Sequence, residues 1–271
     1  MMKFRQLLRS WIGRLAILGL ISAMVVIGLS GTAIARARFA TIFQSAPLDI
    51  AVPTIDVIPN PFKNPSLLPS IPNPSIGYEP PQMNAPADPS NYDTRELRDA
   101  DGQLAANSLI VVLHETVGTA QSAINLFQTH HPNDWDQVSY HALIKRDGTV
   151  VYIVPIEMRA FGAGNSVFLN RNGEQEAVRT NPEFPASVNN FAYHISLESP
   201  PEGWDAGYTH SGYTENQYQS LAWLLARTDI PDDRITTHQA VDRSGSRIDP
   251  RSFDRQRFLT ILHQYPNRRP A

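Results

Sequence analysis

The run Leu109-Ile110-Val111-Val112-Leu113-His114-Glu115-Thr116 sets the architecture of the chain. Five consecutive apolar residues, several of them β-branched, are typical of an interior strand that is buried on both faces. Such a strand needs neighbouring strands at both edges and covering elements on both faces. It delivers His114 at its end, where a side chain leaves the sheet toward the loops.

Predicted strands and helices alternate on both sides of this run. Two strands, 138–144 and 149–155, flank Arg146-Asp147-Gly148, which is a hairpin signal, and further strands are predicted over 190–197 and 235–238. A helix over 119–130 is expected to bury Ala123, Leu126 and Phe127. A capping box at Thr214–Gln217 opens a second helix, and Ser252 is the predicted cap of a third that buries Phe258, Ile261, Leu262 and Tyr265. Interleaved strands and helices predict one α/β domain with a central mixed sheet flanked by helices.

The first 35 residues are typical of a targeting element. An uncharged run extends from Leu15 to Ala35 and ends in an Ala-x-Ala pattern, which predicts a secretory signal removed after Ala35. The run is preceded by the basic residues Lys3, Arg5, Arg9 and Arg14. The alternative is a retained membrane anchor, because 21 uncharged residues suffice to cross a hydrocarbon core of ~30 Å. Either outcome exports the rest of the chain, to the periplasm or cell wall.

Residues 36–91 are predicted to form an extended spacer. Twelve of the 22 prolines fall between Pro47 and Pro89. Each proline removes a backbone donor and restricts the residue before it, so neither helix nor sheet propagates. The alternative is an arm that packs along the following domain, since the segment also carries Ile, Leu and Val. The globular domain is then predicted over 92–271.

Composition narrows the chemistry. The chain has 271 residues with 42% hydrophobic content and a net charge of −3, which gives no electrostatic reason to expect a nucleic-acid partner. It has no cysteine, which excludes disulfides, a thiol nucleophile and cysteine-based zinc sites. Any metal ligands must therefore be histidines and carboxylates.

A second informative stretch is the polar segment Thr236–Pro250. It carries His238 near its start and Asp249 near its end, with Arg247 two residues before the Asp. The segment lacks apolar periodicity and contains Gly245, so it is predicted to be a loop between apolar elements, a common location for functional residues. Catalytic zinc takes three protein ligands and one open position, and His114 is the candidate third ligand.

Taken together, these motifs resemble the zinc-dependent N-acetylmuramoyl-L-alanine amidases. The motifs are the strand ending in His114-Glu115-Thr116, then Ser139-Tyr140-His141 before Lys145-Arg146-Asp147-Gly148, then His238 and Asp249-Pro250. The resemblance covers roughly 108–265 and extends to the related phage amidases and peptidoglycan recognition proteins. It implies a Zn²⁺ cofactor bound by His114, His238 and Asp249, and peptidoglycan or muropeptide as the substrate.

The resemblance also implies catalytic roles. Tyr140 occupies the position of a catalytic tyrosine, with packing against neighbours as its alternative role, and Arg247 stands where the family often carries Lys. Alignment places Ser196 at the position of a catalytic Glu of one branch, but Glu198 shares its strand face and is the candidate general base. The alternative for Glu198 is a strand-end carboxylate or a substrate contact. Phe161-Gly162 replaces the family's usual Trp-His, so a substrate-contacting histidine is absent.

The predicted function is that of an exported amidase that cleaves the bond between N-acetylmuramic acid and L-alanine. One alternative is a non-catalytic peptidoglycan-binding protein on the same fold, a class that typically lacks a zinc ligand. Another is a zinc peptidase acting on the stem peptide, although the chain has no HExxH helix. Contact with a membrane is expected only through a retained N-terminal segment, and the sequence leaves the oligomeric state open.

Overall fold

The structure is a computed structural model that describes residues 77–268. The predicted signal or anchor segment and most of the predicted spacer lie outside the described residues. Within residues 77–268, no helix combines the length and apolar character needed to cross a membrane.

The described chain alternates short strands with helices. The strands are β1 (Gln82–Asn84), β2 (Tyr92–Thr94), β3 (Ile110–Glu115), β4 (Ala142–Ile144), β5 (Val150–Tyr152), β6 (Met158–Ala160), β7 (Phe168–Leu169), β8 (Gln175–Glu176), β9 (Ala192–Leu197) and β10 (Ile235–Thr237). The α-helices are α1 (Ala120–Gln128), α2 (Glu215–Leu225), α3 (His238–Val241) and α4 (Arg255–Leu262). All five strands predicted from residue 109 onward are present, as β3, β4, β5, β9 and β10, with shorter bounds for the hairpin pair.

Six of the strands form one mixed sheet in the order β1-β5-β4-β9-β3-β10. β3 lies between β9 and β10 and is parallel to both, whereas β4 and β5 form the antiparallel hairpin. Two further pairs, β2–β6 and β7–β8, form small separate sheets. The predicted fold class, a central mixed sheet flanked by helices, is confirmed.

β3 is buried on both faces, which explains its continuous apolar sequence. Val111 and Leu113 pack into a core with α2 and α4 on one face of the sheet. Ile110 and Val112 point to the other face, into a second cluster that includes Phe191. Because side chains alternate along a strand, His114 emerges on the face of Ile110 and Val112, away from the core of α2 and α4.

The helix predictions are confirmed with two corrections. α2 begins with the predicted capping box between Thr214 and Gln217. α1 buries Ile124 and Phe127, but Leu126 is 46% exposed, because only a narrow stripe of this short helix contacts the sheet. α4 is capped by Asp254, whose side chain accepts the N–H of Arg257, rather than by Ser252.

The predicted domain boundary at residue 92 is also corrected. β1 lies within the predicted spacer and pairs in parallel with β5, with Gln82 opposite Val150. Ala85 and Ala87 are buried beneath it, and the Asn91 amide donates to two carbonyls at the end of α1. The last part of the predicted spacer therefore belongs to the folded domain. This part follows the alternative prediction, an arm that packs along the domain.

Candidate metal centre and groove

Parallel strands bring the three predicted ligands together. His114 is the penultimate residue of β3 and His238 directly follows β10, and the carboxyl ends of these parallel neighbours meet at the same edge of the sheet. The loop after α3 returns Asp249 to this edge, where its backbone carbonyl accepts the N–H of Gln239 at 2.9 Å. Residues separated by 135 positions along the chain thus form one cluster, from His114 to Asp249.

The cluster has the dimensions of a metal site. One ligand atom from each of His114, His238 and Asp249 lies within 4.8 Å of the others. Oδ2 of Asp249 lies 3.4 Å from Nδ1 of His114 and 3.1 Å from Nδ1 of His238. All three residues are buried or nearly so, so their ring and carboxylate orientations are fixed by packing.

The residues present fit a zinc ion. Nδ1 of His114 is fully buried and has no hydrogen-bond partner among the described residues, which leaves its lone pair for a ligand. Burial lowers the pKa of His114 to about 4, so this imidazole is neutral at physiological pH. Burial alone would raise the pKa of Asp249, but the adjacent imidazoles of His114 and His238 outweigh this effect and hold the pKa well below its usual range. Two imidazole nitrogens and one carboxylate are a ligand set used by catalytic zinc.

Tyr140 lies directly against the first ligand. Its ring stacks on the His114 ring with centroids 4.3 Å apart, and its edge contacts Phe127. Burial raises the pKa of the Tyr140 phenol well above its usual range, so the hydroxyl keeps its proton and acts as a donor. The position of Tyr140 is therefore compatible with the predicted catalytic role and with its alternative, packing.

Arg247 lies on a loop whose backbone N–H groups donate to the carboxylate of Asp242. The side chain of Asp242 accepts the backbone N–H groups of Ser244, Ser246 and Arg247 at 3.0 to 3.2 Å. These bonds hold a polar segment in one conformation without apolar packing. Arg247 is exposed and lines the same groove as Asp249, which places a permanent positive charge near the ligands.

The ligand cluster opens into a groove of about 1050 Å³. Tyr140, His238, Asp249 and Arg247 contribute to its lining. The lining also includes Trp135, which is 69% exposed and whose ring centroid lies 4.4 Å from that of Phe184. A groove of this size, with polar groups at one place and aromatic rings at another, is typical of a binding site for an extended ligand.

Glu198 has a structural role, and its geometry does not support the prediction of a general base. One carboxylate oxygen accepts the N–H of Ala120 at the start of α1, and the other accepts the N–H of Arg146 in the β4–β5 turn. In the described chain Glu198 is not one of the residues that line the groove. Ser196 instead lies beside His114 in the register of β3 and β9, and its buried hydroxyl has no hydrogen-bond partner among residues 77–268.

A buried ion pair behind the ligands was missed in the sequence. Glu115, the residue after His114, lies 2.5 Å from Nε of Arg251, two residues after Asp249. The same carboxylate contacts the hydroxyl of Tyr213 and Nε2 of His210. The His210 side chain is fully buried and belongs to this cluster. The sequence signal for this pair was an acidic residue next to His114 and a basic residue two positions after Asp249.

His194 was also missed. It lies on β9 opposite Val112 and is fully buried, with Nδ1 2.9 Å from Nε2 of His114. His141 lies behind it, accepting the backbone N–H of His194 and contacting the carbonyl of Met158 through its ring nitrogens. These contacts give His141 a structural role.

Comparisons with known proteins identify the family. The family described as N-acetylmuramoyl-L-alanine amidase matches residues 105–252. The 1,6-anhydro-N-acetylmuramyl-L-alanine amidase AmpD of Salmonella typhimurium is 31% identical over 130 residues, or 46% of this chain and 58% of that protein. AmpD of Citrobacter freundii is 30% identical over the same shares of both chains. The chain thus spans little more than half the length of these curated relatives.

Among solved structures, the chain is similar to a selenomethionine derivative of AmpD, with 26% identity and a TM-score of 0.47 over 69% of this chain and 98% of that one. The family match covers more than half of the sequence, from the residues before β3 to those after Asp249, and so includes every candidate ligand. The chain belongs to the N-acetylmuramoyl-L-alanine amidase family.

Proposed function

We propose that this protein is an exported zinc amidase that hydrolyses the amide bond between the lactyl group of N-acetylmuramic acid and L-alanine. The observation that carries the proposal is the buried His114, His238 and Asp249 set at the edge of an open groove, in a member of this family. Export is supported by the basic and uncharged N-terminal segments of the sequence, and by the location of peptidoglycan outside the membrane.

His114, His238 and Asp249 would hold the metal. Zinc bound by such a set supplies a Lewis acid that polarises a carbonyl and activates water near neutral pH. The buried Asp249 carboxylate remains ionised because both imidazoles stabilise its charge. Hydrolysis would therefore take place at the part of the groove where these three side chains lie.

Tyr140 and Arg247 would stabilise the charge that develops on the scissile carbonyl. The Tyr140 phenol stays protonated and can donate a hydrogen bond to the oxyanion, and its stacking on His114 fixes its direction. Arg247 adds a positive charge at the groove. Because its guanidinium does not release a proton, the contribution of Arg247 is electrostatic.

The test is product analysis after zinc reconstitution of the purified protein. With a soluble N-acetylmuramyl dipeptide, mass spectrometry should detect free N-acetylmuramic acid and the intact dipeptide. A zinc peptidase would leave the first amino acid on the lactyl group, and a binding module would give no product. Matched substrates with an ordinary and a 1,6-anhydro sugar would define the preferred glycan form.

His238→Ala should abolish both zinc retention and hydrolysis. The matched control is His130→Ala, since the His130 side chain is 68% exposed and paired only weakly with Asp88. Zinc binding with no hydrolysis of either sugar form would refute the amidase and favour the binding module.

A further inference from the structure

A glycine in the groove wall makes room for an imidazole behind the candidate metal site. A Cβ atom added to Gly162 would lie 2.6 Å from Cγ and Nδ1 of His194, far inside van der Waals contact. The His194 ring also stacks on His141, with centroids 5.7 Å apart and planes at 9°. The position of the ring is therefore fixed from two sides.

The fixed ring contacts the first candidate ligand. Nδ1 of His194 lies 2.9 Å from Nε2 of His114, whereas Nδ1 of His114 faces Asp249. A neutral imidazole carries one ring proton. A metal on Nδ1 of His114 requires that this atom carry no proton, which would place the ring proton on Nε2, as a donor to Nδ1 of His194.

Packing alone does not account for a histidine at this position. With Nδ1 of His194 accepting, its proton lies on Nε2, and that atom is buried with no hydrogen-bond partner in the described chain. An apolar side chain of similar volume would fill the space without this buried unsatisfied donor. What His194 offers beyond an apolar residue is its hydrogen bond to His114.

We propose that His194 is a positioning residue for the metal site, which accepts the Nε2–H of His114 and so directs Nδ1 of His114 toward the metal. The inference rests on the proposed function only in taking zinc as the metal. Partners that accept the second ring proton of a ligating histidine set its tautomer and orientation, and their loss typically weakens metal binding by about 10–100-fold.

Two substitutions at the same position separate positioning from packing. Asn places an oxygen acceptor close to the site of Nδ1, whereas Leu matches the volume of the ring and offers no acceptor. His194→Leu should raise the zinc Kd by about 10–100-fold, measured by competition with a chromophoric chelator, and His194→Asn should stay within a few-fold of wild type. Metal-free thermal stability should rank the two variants in the opposite order, because Leu is the better core residue.

Gly162→Ala tests the same contact without changing the imidazole. The backbone of Gly162 is in a region open to other residues, so the added Cβ acts on the His194 ring rather than on the chain. It should raise the zinc Kd, whereas Gly164→Ala should not, because a Cβ at Gly164 meets nothing within 4 Å.

Zinc affinity equal to wild type in both His194→Leu and Gly162→Ala would overturn the proposal, as would an Asn variant weaker than the Leu variant. A wild-type protein that binds no zinc would overturn it together with the proposed function. Zinc binding with the expected ranking but without hydrolysis would remove the proposed amidase and leave the positioning role of His194 intact.

Discussion

Arg251→Met should be among the most destabilising substitutions at the back of the site. Arg251 is 4% exposed, and its guanidinium donates to Glu115 at 2.5 Å and to the carbonyls of Asp205 and Gly207 at 3.0 and 2.6 Å. Methionine fills much of the space but leaves the Glu115 carboxylate buried without its cation. Removing one partner of a buried ion pair costs ~3–5 kcal/mol.

This loss should be visible in the metal-free protein by urea unfolding and by thermal unfolding. For a domain of this size each kcal/mol lowers Tm by ~2–4 °C, so the expected shift is on the order of 6–20 °C. Zinc affinity should fall as well, because the ion pair joins the residue after His114 to the loop that carries Asp249.

Two controls show where the cost arises. Glu115→Gln combined with Arg251→Met removes the orphaned charge and should recover part of the stability lost in the single variant. Arg257→Met breaks an exposed pair with Glu215, in which the side chains are 46% and 51% exposed, and should cost less than ~1 kcal/mol. An Arg251→Met protein within ~1 kcal/mol of wild type, or a double variant no more stable than the single one, would refute this account of the buried pair.

Three further outcomes follow from the same geometry. Tyr140→Phe should keep zinc and fold but lower the rate by ~10²–10³, as expected for loss of one oxyanion donor, and a rate within a few-fold of wild type with zinc retained would assign Tyr140 to packing. Glu198→Gln should leave the rate within a few-fold while lowering Tm, because its oxygens hold α1 and the β4–β5 turn; a ~10²-fold rate loss at unchanged stability would restore it as the base. Burial holds the pKa of His114, His141 and His194 below the usual value, so the unfolded chain binds more protons than the folded one below pH ~6.5. Stability of the metal-free protein should therefore fall as the pH drops from ~6.5 to ~5.5, by up to ~3 kcal/mol, and equal urea midpoints at both values would contradict this.

The sequence predicted those parts of the molecule that are determined by local patterns. The five apolar residues before His114 could satisfy their backbone and side chains only as an interior strand, and β3 is that strand. The Thr214–Gln217 capping box is likewise a local device, and it appears as predicted. The three candidate ligands were found because residue type and order along the chain carry that information.

Contacts made over long separations were not readable from the same patterns. β1 has only three residues, all exposed, and lies among prolines. Its own sequence therefore does not predict a strand, and it forms one because it pairs with the edge of β5. The role of Glu198 depends on two N–H groups 52 and 78 positions away. The Glu115–Arg251 pair spans 136 positions. Its two charges form an ion pair only because the fold brings β3 next to the loop that carries Asp249.

The position of β1 has a consequence for behaviour at high concentration. β5 contributes Val150 and Val151, both fully buried, and without β1 its backbone donors and acceptors would form an open sheet edge able to pair with another molecule. β1 occupies that edge with the polar residues Gln82 and Asn84 and is preceded by Pro80-Pro81, which halt further strand addition. The segment thus protects the domain from edge-to-edge aggregation, and a chain shortened to residue 92 would lose this protection.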